Sequence, residues 1–326
     1  MERDNKNCLL RAENLKKTFI SRSGFSSSGS SVKAVDGVSF CMDAGSVFSL
    51  VGESGSGKST VARIVLRLLQ QDSGSVYFRG TDTLSFEGNA LRQLRRSVQM
   101  IFQDPFASLN PRMTIGSALA EPYKIHKIKS ASGSIEASVE LLNKVGLGPD
   151  AMNKYPHEFS GGQRQRICIA RALAVSPELL VADEPLSALD VSIQAQIINL
   201  LKDLMVESGF SLMLISHDLN VVRYLSHKTA VMYMGRIVEM SDADSLFSSP
   251  KHPYTRLLLE SAPRIYSTQR TSSVSGDVRN ILAATSVEAG GCAFYQRCGQ
   301  RMQECKNTMP SLSVHGTGFV ACHLYG

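Results

Sequence analysis

Residues 52–60 combine glycine, lysine and hydroxyl side chains at a spacing that suits phosphate binding. They fit G-x-x-x-x-G-K-[ST], after a predicted buried strand at 46–51 and before a predicted helix at 61–69. Glycines let successive backbone N–H groups face phosphate oxygens, and the helix N-terminus adds partial positive charge. We expect Lys58 to reach the outer phosphates and the Ser59 hydroxyl to bind Mg²⁺. The predicted binding residues are Gly52, Glu53, Ser54, Gly55, Ser56, Gly57, Lys58, Ser59 and Thr60.

A pair of carboxylates follows a short apolar run at residues 179–182. Asp183 and Glu184 end this run, which is the pattern of a buried parallel strand that carries chemistry at its carboxyl end. We expect Asp183 to hold Mg²⁺ and Glu184 to polarise the water that attacks a terminal phosphate. Such a run also occurs as ordinary loop punctuation, but its place behind a phosphate loop favours the catalytic interpretation.

A second candidate anion site begins a predicted helix at 164–173. Ser160 is a favoured N-cap residue, and Gly161 and Gly162 would leave bare N–H groups at the positive helix end before Gln163. A chain with one nucleotide needs only one such site. We therefore expect residues 160–163 to serve the nucleotide of a neighbouring subunit. A plain capped helix is the alternative.

The order of these motifs, together with Gln103 and His217, resembles the ATPase subunits of ABC transporters over about residues 9–247. The resemblance implies an α/β P-loop ATPase with an antiparallel edge sheet and a helical subdomain at about 104–176. It also implies that ATP lies between the phosphate loop of one subunit and residues 160–163, the signature, of another.

The same resemblance implies roles for single residues. Phe19 matches the aromatic side chain that stacks on adenine, although tyrosine is common there. Gln103 matches the residue that touches Mg²⁺ and senses the membrane partner, and His217 matches the switch that senses the γ-phosphate. Residues 187–190 match the loop that crosses the dimer interface. Glu184, His217 and Gln103 are thus the predicted catalytic residues.

Two further stretches are similar to the ATPases of dipeptide and oligopeptide importers. These are FQDPFASLNPR at 102–112 and HPYT at 252–255. Importers of nickel and glutathione belong to the same group, so both cargoes remain alternatives. The resemblance implies a second, similar ATPase subunit, two integral membrane permease subunits and an extracytoplasmic substrate-binding protein. It places the chain peripherally on the cytoplasmic face of a bacterial inner membrane.

The cysteines form two sets. Cys8, Cys41 and Cys168 are scattered and are interpreted as small buried residues. The C-terminal segment carries the pattern C-x5-C-x6-C-x16-C, formed by Cys292, Cys298, Cys305 and Cys322. Zinc ribbons use closer pairs, and residues 1–6 hold no apolar signal core that would favour an oxidising compartment. Four thiolates in a loop-rich segment suit an iron–sulfur cluster.

The resemblance to importer ATPases implies a [4Fe-4S] centre on these four cysteines, and unligated thiols are the alternative. One departure from the family is the absence of proline after Gly276 and Asp277. We divide the chain into a nucleotide-binding domain at 1–248 and a cysteine-bearing domain at 249–326. ATP binding is expected to survive loss of the cysteines, because no phosphate-loop residue lies in the C-terminal segment.

Composition limits the remaining function classes. The 326-residue chain has a formal charge of +6 with dispersed Lys and Arg, which gives no case for nucleic-acid binding. No apolar stretch is long enough to span a bilayer, so a membrane role requires partners. Strands that alternate with helices predict a mostly parallel sheet. A soluble ABC ATPase acting on DNA or the ribosome, and an electron carrier using the cysteines, remain alternative functions.

Overall fold

The computed structural model describes residues 8–21, 30–128, 133–261 and 290–326. The strands are β1 Cys8–Ser21, β2 Ser30–Asp43, β3 Val47–Val51, β4 Ser73–Phe78, β5 Thr81–Asp82, β6 Val98–Ile101, β7 Leu179–Asp183, β8 Ser211–Ser216, β9 Lys228–Tyr233, β10 Arg236–Asp242, β11 Ser313–His315 and β12 Gly318–Val320. The helices are α1 Lys58–Val65, α2 Gly88–Ser97, α3 Pro105–Ser108, α4 Ile115–His126, α5 Gly133–Lys144, α6 Gly161–Leu173, α7 Val191–Ser208, α8 Leu219–Leu225, α9 Ala243–Ser248, α10 Pro253–Ser261 and α11 Gln303–Asn307.

The larger sheet has the strand order β11-β12-β10-β9-β3-β8-β7-β6. Strands β6, β7, β8, β3 and β9 pair in parallel, which confirms the predicted mostly parallel sheet. Every residue of β3, β7 and β8 is buried, so these strands appear in the sequence as continuous apolar runs. Their carboxyl ends meet at one edge, where the phosphate loop, the carboxylate pair and His217 follow.

The second sheet is antiparallel, with the order β2-β1-β4-β5. Phe40 on β2 stacks on Phe48 of β3, with their ring centroids 4.8 Å apart, so the two sheets share a core. A disulfide joins Cys8 on β1 to Cys41 on β2. The interpretation of these two cysteines as separate buried residues is therefore wrong, whereas Cys168 is buried with a free thiol.

Four helices, α3 to α6, lie between β6 and β7, in the range predicted as helical. The two longer helices that precede α6 in this range are α4 and α5. Thr114 caps α4 by accepting a hydrogen bond from the Ser117 N–H at 3.3 Å. Leu119, Leu142 and Ile167 are fully buried in one core with the larger sheet, which fixes these helices against it.

The C-terminal segment extends the larger sheet. Strand β12 pairs with β10 in antiparallel register, with Glu239 opposite Val320 and Met240 opposite Phe319. Strand β11 then forms the sheet edge. Residues 276 and 277, where the family's proline-rich path is expected, lie outside the described residues. In the described ranges, no helix has the length and apolar character needed to cross a membrane.

Candidate functional site

The phosphate loop connects β3 to α1 through glycines in left-handed backbone conformations. Gly55 has φ 80° and Gly57 has φ 105°. A Cβ at Gly57 would collide with the carbonyl oxygen of Ala34 on β2, so the close approach of this strand requires glycine. Gly57 is also the N-cap of α1 and supplies no side-chain hydrogen bond to it. The N–H groups of the first turn are therefore left for a ligand.

Lys58 lies in the interior of the loop and is only 4% exposed. Its Nζ donates hydrogen bonds to the carbonyl oxygens of Gly52 at 2.8 Å and Glu53 at 2.9 Å. Burial lowers the pKa of Lys58, while the carboxylates of Glu184, Asp183 and Glu53 oppose that shift. The ammonium group thus lies among acceptors at the position where a phosphate would be received.

Ser59 and Asp183 meet across the loop. The Ser59 hydroxyl donates to Asp183 Oδ1 at 2.9 Å. Burial raises the pKa of Asp183, while the hydrogen bond from Ser59 lowers it. A hydroxyl and a carboxylate are oxygen ligands of the kind that Mg²⁺ prefers. These two residues therefore fit the predicted metal role.

Glu184 is the point at which the three predicted catalytic side chains converge. Gln103 donates from Nε2 to Glu184 Oε2 at 3.1 Å, and His217 Nδ1 lies 3.4 Å from the same oxygen. The backbone of Glu184 is held in a left-handed conformation, with φ 46°, by its N–H bond to the Ile215 carbonyl at 2.9 Å. The Glu184 carboxylate therefore lies directly after the end of β7, with the side chains of Gln103 and His217 both near it.

The signature residues form a local cap at the start of α6. The N–H of Ser160 donates to Gln163 Oε1 at 3.0 Å, and the N–H of Gln163 donates to Ser160 Oγ at 3.3 Å. This capping box satisfies the two residues within the signature itself. Ser160 and Gln163 are exposed, and Gly162 packs so closely that a Cβ there would lie 2.5 Å from Ile193. Across the described chain, no hydrogen bond joins these side chains to the phosphate loop.

Phe19 is an exposed aromatic residue near the end of β1. Its side chain is 45% exposed, and Lys17 Nζ lies 6.0 Å from the ring centroid. Phe19 pairs with Val32 on β2, two residues before Ala34, whose carbonyl abuts Gly57. An accessible ring on the strand pair that passes the phosphate loop is suited to stacking on a base.

The four C-terminal cysteines converge from separate turns. The Cys292 N–H donates to the Cys305 carbonyl at 2.8 Å, and electrostatic interactions connect every pair of the four thiols. Burial is the main cause that raises the pKa of Cys292, Cys298 and Cys322. No three His, Cys, Asp or Glu side chains in the described part of the chain come close enough to hold a single metal ion.

Three of these sulfurs accept a backbone N–H from two residues further along the chain. Phe294 donates to Cys292, Gln300 to Cys298 and Leu324 to Cys322, and each bond lowers the thiol pKa. Hydrogen bonds of this kind stabilise thiolates that ligate metals. Three of the four thiols therefore share the same kind of backbone hydrogen bond.

Two C-terminal residues contact the phosphate loop: Arg297, which the motif analysis missed, and Tyr254, which it noted only as part of the HPYT stretch. Arg297 donates to both carboxylate oxygens of Glu53, at 2.8 and 2.9 Å. The hydroxyl of Tyr254, on α10, accepts the Glu53 N–H at 3.0 Å. No local pattern in the sequence signals these contacts, because Glu53 lies 201 positions from Tyr254 and 244 positions from Arg297.

Comparisons with known proteins identify the family of this chain. A family model described as "ABC transporter" matches residues 35–187, and one described as "Oligopeptide/dipeptide transporter, C-terminal region" matches residues 238–305. The "Oligopeptide transport ATP-binding protein AppF" of Bacillus subtilis (strain 168) is 45% identical over 98% of each chain. The "Putative oligopeptide transport ATP-binding protein YkfD" of that strain is 47% identical over 90% of each chain.

A solved structure with a similar fold is described as a dimeric post-hydrolysis state of the ATP-binding cassette MJ0796 bound to ADP and Pi. It superposes with a TM-score of 0.63 at 29% sequence identity. The alignment covers 72% of this chain and 98% of that one. The shared part is therefore an entire nucleotide-binding cassette.

Proposed function

Because this chain belongs to the ATP-binding subunits of ABC transporters, in the group of oligopeptide and dipeptide transporters, we propose that it hydrolyses ATP to drive peptide import. The observation that carries the proposal is the convergence of Gln103 and His217 on Glu184 beside the phosphate loop. Relatives named for peptide import support the choice of cargo.

The proposed chemistry is transfer of the γ-phosphoryl group of ATP to water. The oxygen of the attacking water bonds to the γ-phosphorus, and Glu184 accepts a proton from that water. The bond between that phosphorus and the β–γ bridging oxygen breaks, which gives ADP and inorganic phosphate. Gln103 and His217 hold the Glu184 carboxylate in place. His217 would also sense the γ-phosphate, and Gln103 would touch Mg²⁺. Lys58 stabilises the charge that moves onto the phosphate oxygens.

Mg²⁺ would be held by the hydroxyl of Ser59 and the carboxylate of Asp183. Their hydrogen bond of 2.9 Å supports this assignment, because it puts both oxygen ligands at one point beside the loop. When bound, the cation neutralises charge on the outer phosphates. Its arrival would also favour the ionised form of Asp183, against the effect of burial.

The signature is proposed to complete the ATP site of a second ATPase subunit. Its exposed position and its self-contained cap leave the helix end accessible to another chain. Two permease subunits in the membrane and an extracytoplasmic substrate-binding protein would complete the importer, without nucleic acid. The chain would then act as a peripheral subunit at the cytoplasmic face of the inner membrane.

The four C-terminal cysteines are proposed to hold a [4Fe-4S] cluster with a structural role. Two observations support this: the N–H bonds to three of the sulfurs, and the interaction of every thiol with the others. Such a cluster would cross-link the turns that carry Cys292, Cys298, Cys305 and Cys322. The electron-carrier alternative would instead be favoured by a redox titration in which the transport rate changes with the oxidation state of the bound cluster.

Uptake by a deletion strain tests the proposed function. Labelled di- and oligopeptides should enter when the wild-type gene is restored, and should stay outside when the restored gene carries Glu184→Gln. Nickel and glutathione uptake measured in the same strains distinguishes the alternative cargoes. Peptide uptake that is independent of the gene, with nickel or glutathione uptake dependent on it, would contradict the peptide assignment. No dependent uptake at all would favour a soluble ABC ATPase.

A further inference from the structure

Glu53 is a carboxylate inside the loop that is proposed to receive the phosphates of ATP. Its backbone carbonyl accepts a hydrogen bond from Lys58 Nζ at 2.9 Å, so the residue lies directly beside the phosphate-binding lysine. Its side chain remains 38% exposed. A free negative charge at this position would repel a triphosphate and would compete with it for Lys58.

Arg297 removes that free charge. Both of its terminal nitrogens donate to the Glu53 carboxylate, one to each oxygen, in the bidentate arrangement that is the strongest form of this pair. The Arg297 side chain is mostly covered, at 19% exposure, which reduces screening of the pair by solvent. The pair joins residues 244 positions apart, so a C-terminal residue acts on the phosphate loop.

An aromatic cluster holds Arg297 and the loop in this relation. Tyr254 is fully buried, its ring centroid lies 4.6 Å from that of Tyr233, and its hydroxyl accepts the Glu53 N–H. Phe294 packs 5.4 Å from each of these two tyrosine rings, and the Arg297 guanidinium lies 5.7 Å from the Phe294 ring. Both the side chain and the backbone of Glu53 are thus fixed by C-terminal residues.

We propose that Arg297 is a positioning residue for the phosphate loop, through which the C-terminal segment sets the affinity for ATP. It neutralises the Glu53 carboxylate and holds it away from the bound triphosphate. The proposal rests on the proposed ATP site. It is compatible with the expectation that ATP binding survives loss of the cysteines, because it concerns the strength of binding and not its presence.

The test is a comparison of ATP dissociation constants for purified full-length variants. Arg297→Ala should weaken ATP binding about tenfold, since it leaves an unpaired charge on the loop. Glu53→Gln in the Arg297→Ala background should restore affinity to within about twofold of Glu53→Gln alone. Arg301→Ala is the matched control, because Arg301 contacts the Tyr295 ring and should leave affinity unchanged. Arg297→Lys keeps the positive charge but loses the bidentate hydrogen bonds to Glu53, so it should bind ATP with intermediate affinity.

Steady-state hydrolysis separates positioning from general loss of structure. Arg297→Ala should raise the KM for ATP with kcat nearly unchanged, because the contacts of Glu184 remain. Wild-type affinity in Arg297→Ala, or no restoration by Glu53→Gln, would overturn the proposal. If Arg297→Ala fails to fold, a wild-type KM in Arg297→Lys has the same consequence. Failure of the wild-type chain to bind ATP would instead overturn the proposed function.

Discussion

Two helices of this chain begin with glycine-rich segments that suit an anion, and they are built differently. Helix α1 starts at Gly57 with no side-chain cap, and its first residue, Lys58, is buried among loop carbonyls. Helix α6 starts at Ser160 with a complete capping box to Gln163, and both residues are exposed. The N-terminal end of α1 has N–H groups left for a ligand within its own fold. The N-terminal end of α6 forms its capping hydrogen bonds internally and faces outward.

The surroundings of the two helix starts show the same contrast. The loop before α1 has Asp183 bonded to it through Ser59, and Glu184 lies near enough to act on Lys58. The start of α6 has Leu189 and Ile193 as close neighbours of its glycines. Polar and charged side chains therefore surround the start of α1, whereas apolar side chains surround the start of α6. This contrast is what the proposed composite sites require, in which the chain would supply one half of each of two sites.

The largest effect is expected from Glu184→Gln, which tests the chemistry assembled around α1. Removing the proposed base should lower phosphate release by roughly 10²–10⁴-fold, because the attacking water loses its proton acceptor. ATP should still bind, since the contacts of Lys58 are kept. Steady-state phosphate release and ATP titration measure the two quantities. Glu207→Gln is the control, because Glu207 pairs with Lys144 at the surface. Hydrolysis near the wild-type rate would remove Glu184 from the mechanism.

The C-terminal segment also bears on the contrast between the two helices, because it contacts the loop before α1 through Arg297 and Tyr254. Anaerobically purified protein should contain iron and inorganic sulfide, and Cys298→Ser should contain less of both because one ligand is lost. That variant should also be cleaved by protease beyond about residue 250, as a small segment without its metal unfolds. Cys168→Ser, at a buried cysteine outside the segment, is the matched control. Stoichiometric zinc without iron or sulfide would show that the cluster assignment is wrong.

The smallest effect is expected from changing Phe19, which lies on the strand pair that passes the phosphate loop before α1. Phe19→Ala should weaken ATP binding about threefold to tenfold, as one aromatic face is lost from the base. Phe19→Tyr should bind as the wild type does, since the face is retained. Ile20→Ala is a matched control, because Ile20 is the adjacent exposed apolar residue on the same strand. An equal loss of ATP affinity in Phe19→Ala and Ile20→Ala would show that the effect comes from disturbing the strand and not from losing the aromatic ring.

Much of the fold follows from local patterns in the sequence. The buried strands β3, β7 and β8 are short apolar runs, and each is followed by polar residues that must lie at one sheet edge. The glycines of the phosphate loop are needed by backbone geometry, so their positions were also predictable. The role of Glu184 was predicted from the carboxylate pair, whereas Gln103 and His217 were assigned only through a resemblance to known ATPases. Three loops bring these residues together, so no local pattern predicts their contacts.

Features that depend on long-range packing could not be predicted. The pairing of β12 with β10 attaches the C-terminal segment to the larger sheet, and no local pattern specifies that partner. The Arg297–Glu53 pair depends on the same attachment. The disulfide between Cys8 and Cys41 results from the pairing of β1 with β2, which no spacing of cysteines reveals.

The most direct test of the contrast between the two helix starts is the ATP affinity of the isolated chain in Lys58→Ala and Ser160→Arg. Ser160 is preferred to Gly162, because any side chain at Gly162 would also collide with Ile193. Lys58→Ala should weaken binding about tenfold or more, as the buried ammonium is lost. Ser160→Arg should bind ATP as the wild type and the cap control Ser160→Ala do, while hydrolysis is lost. Equal loss of affinity in Lys58→Ala and Ser160→Arg would show that the signature serves its own nucleotide, and would contradict the composite site.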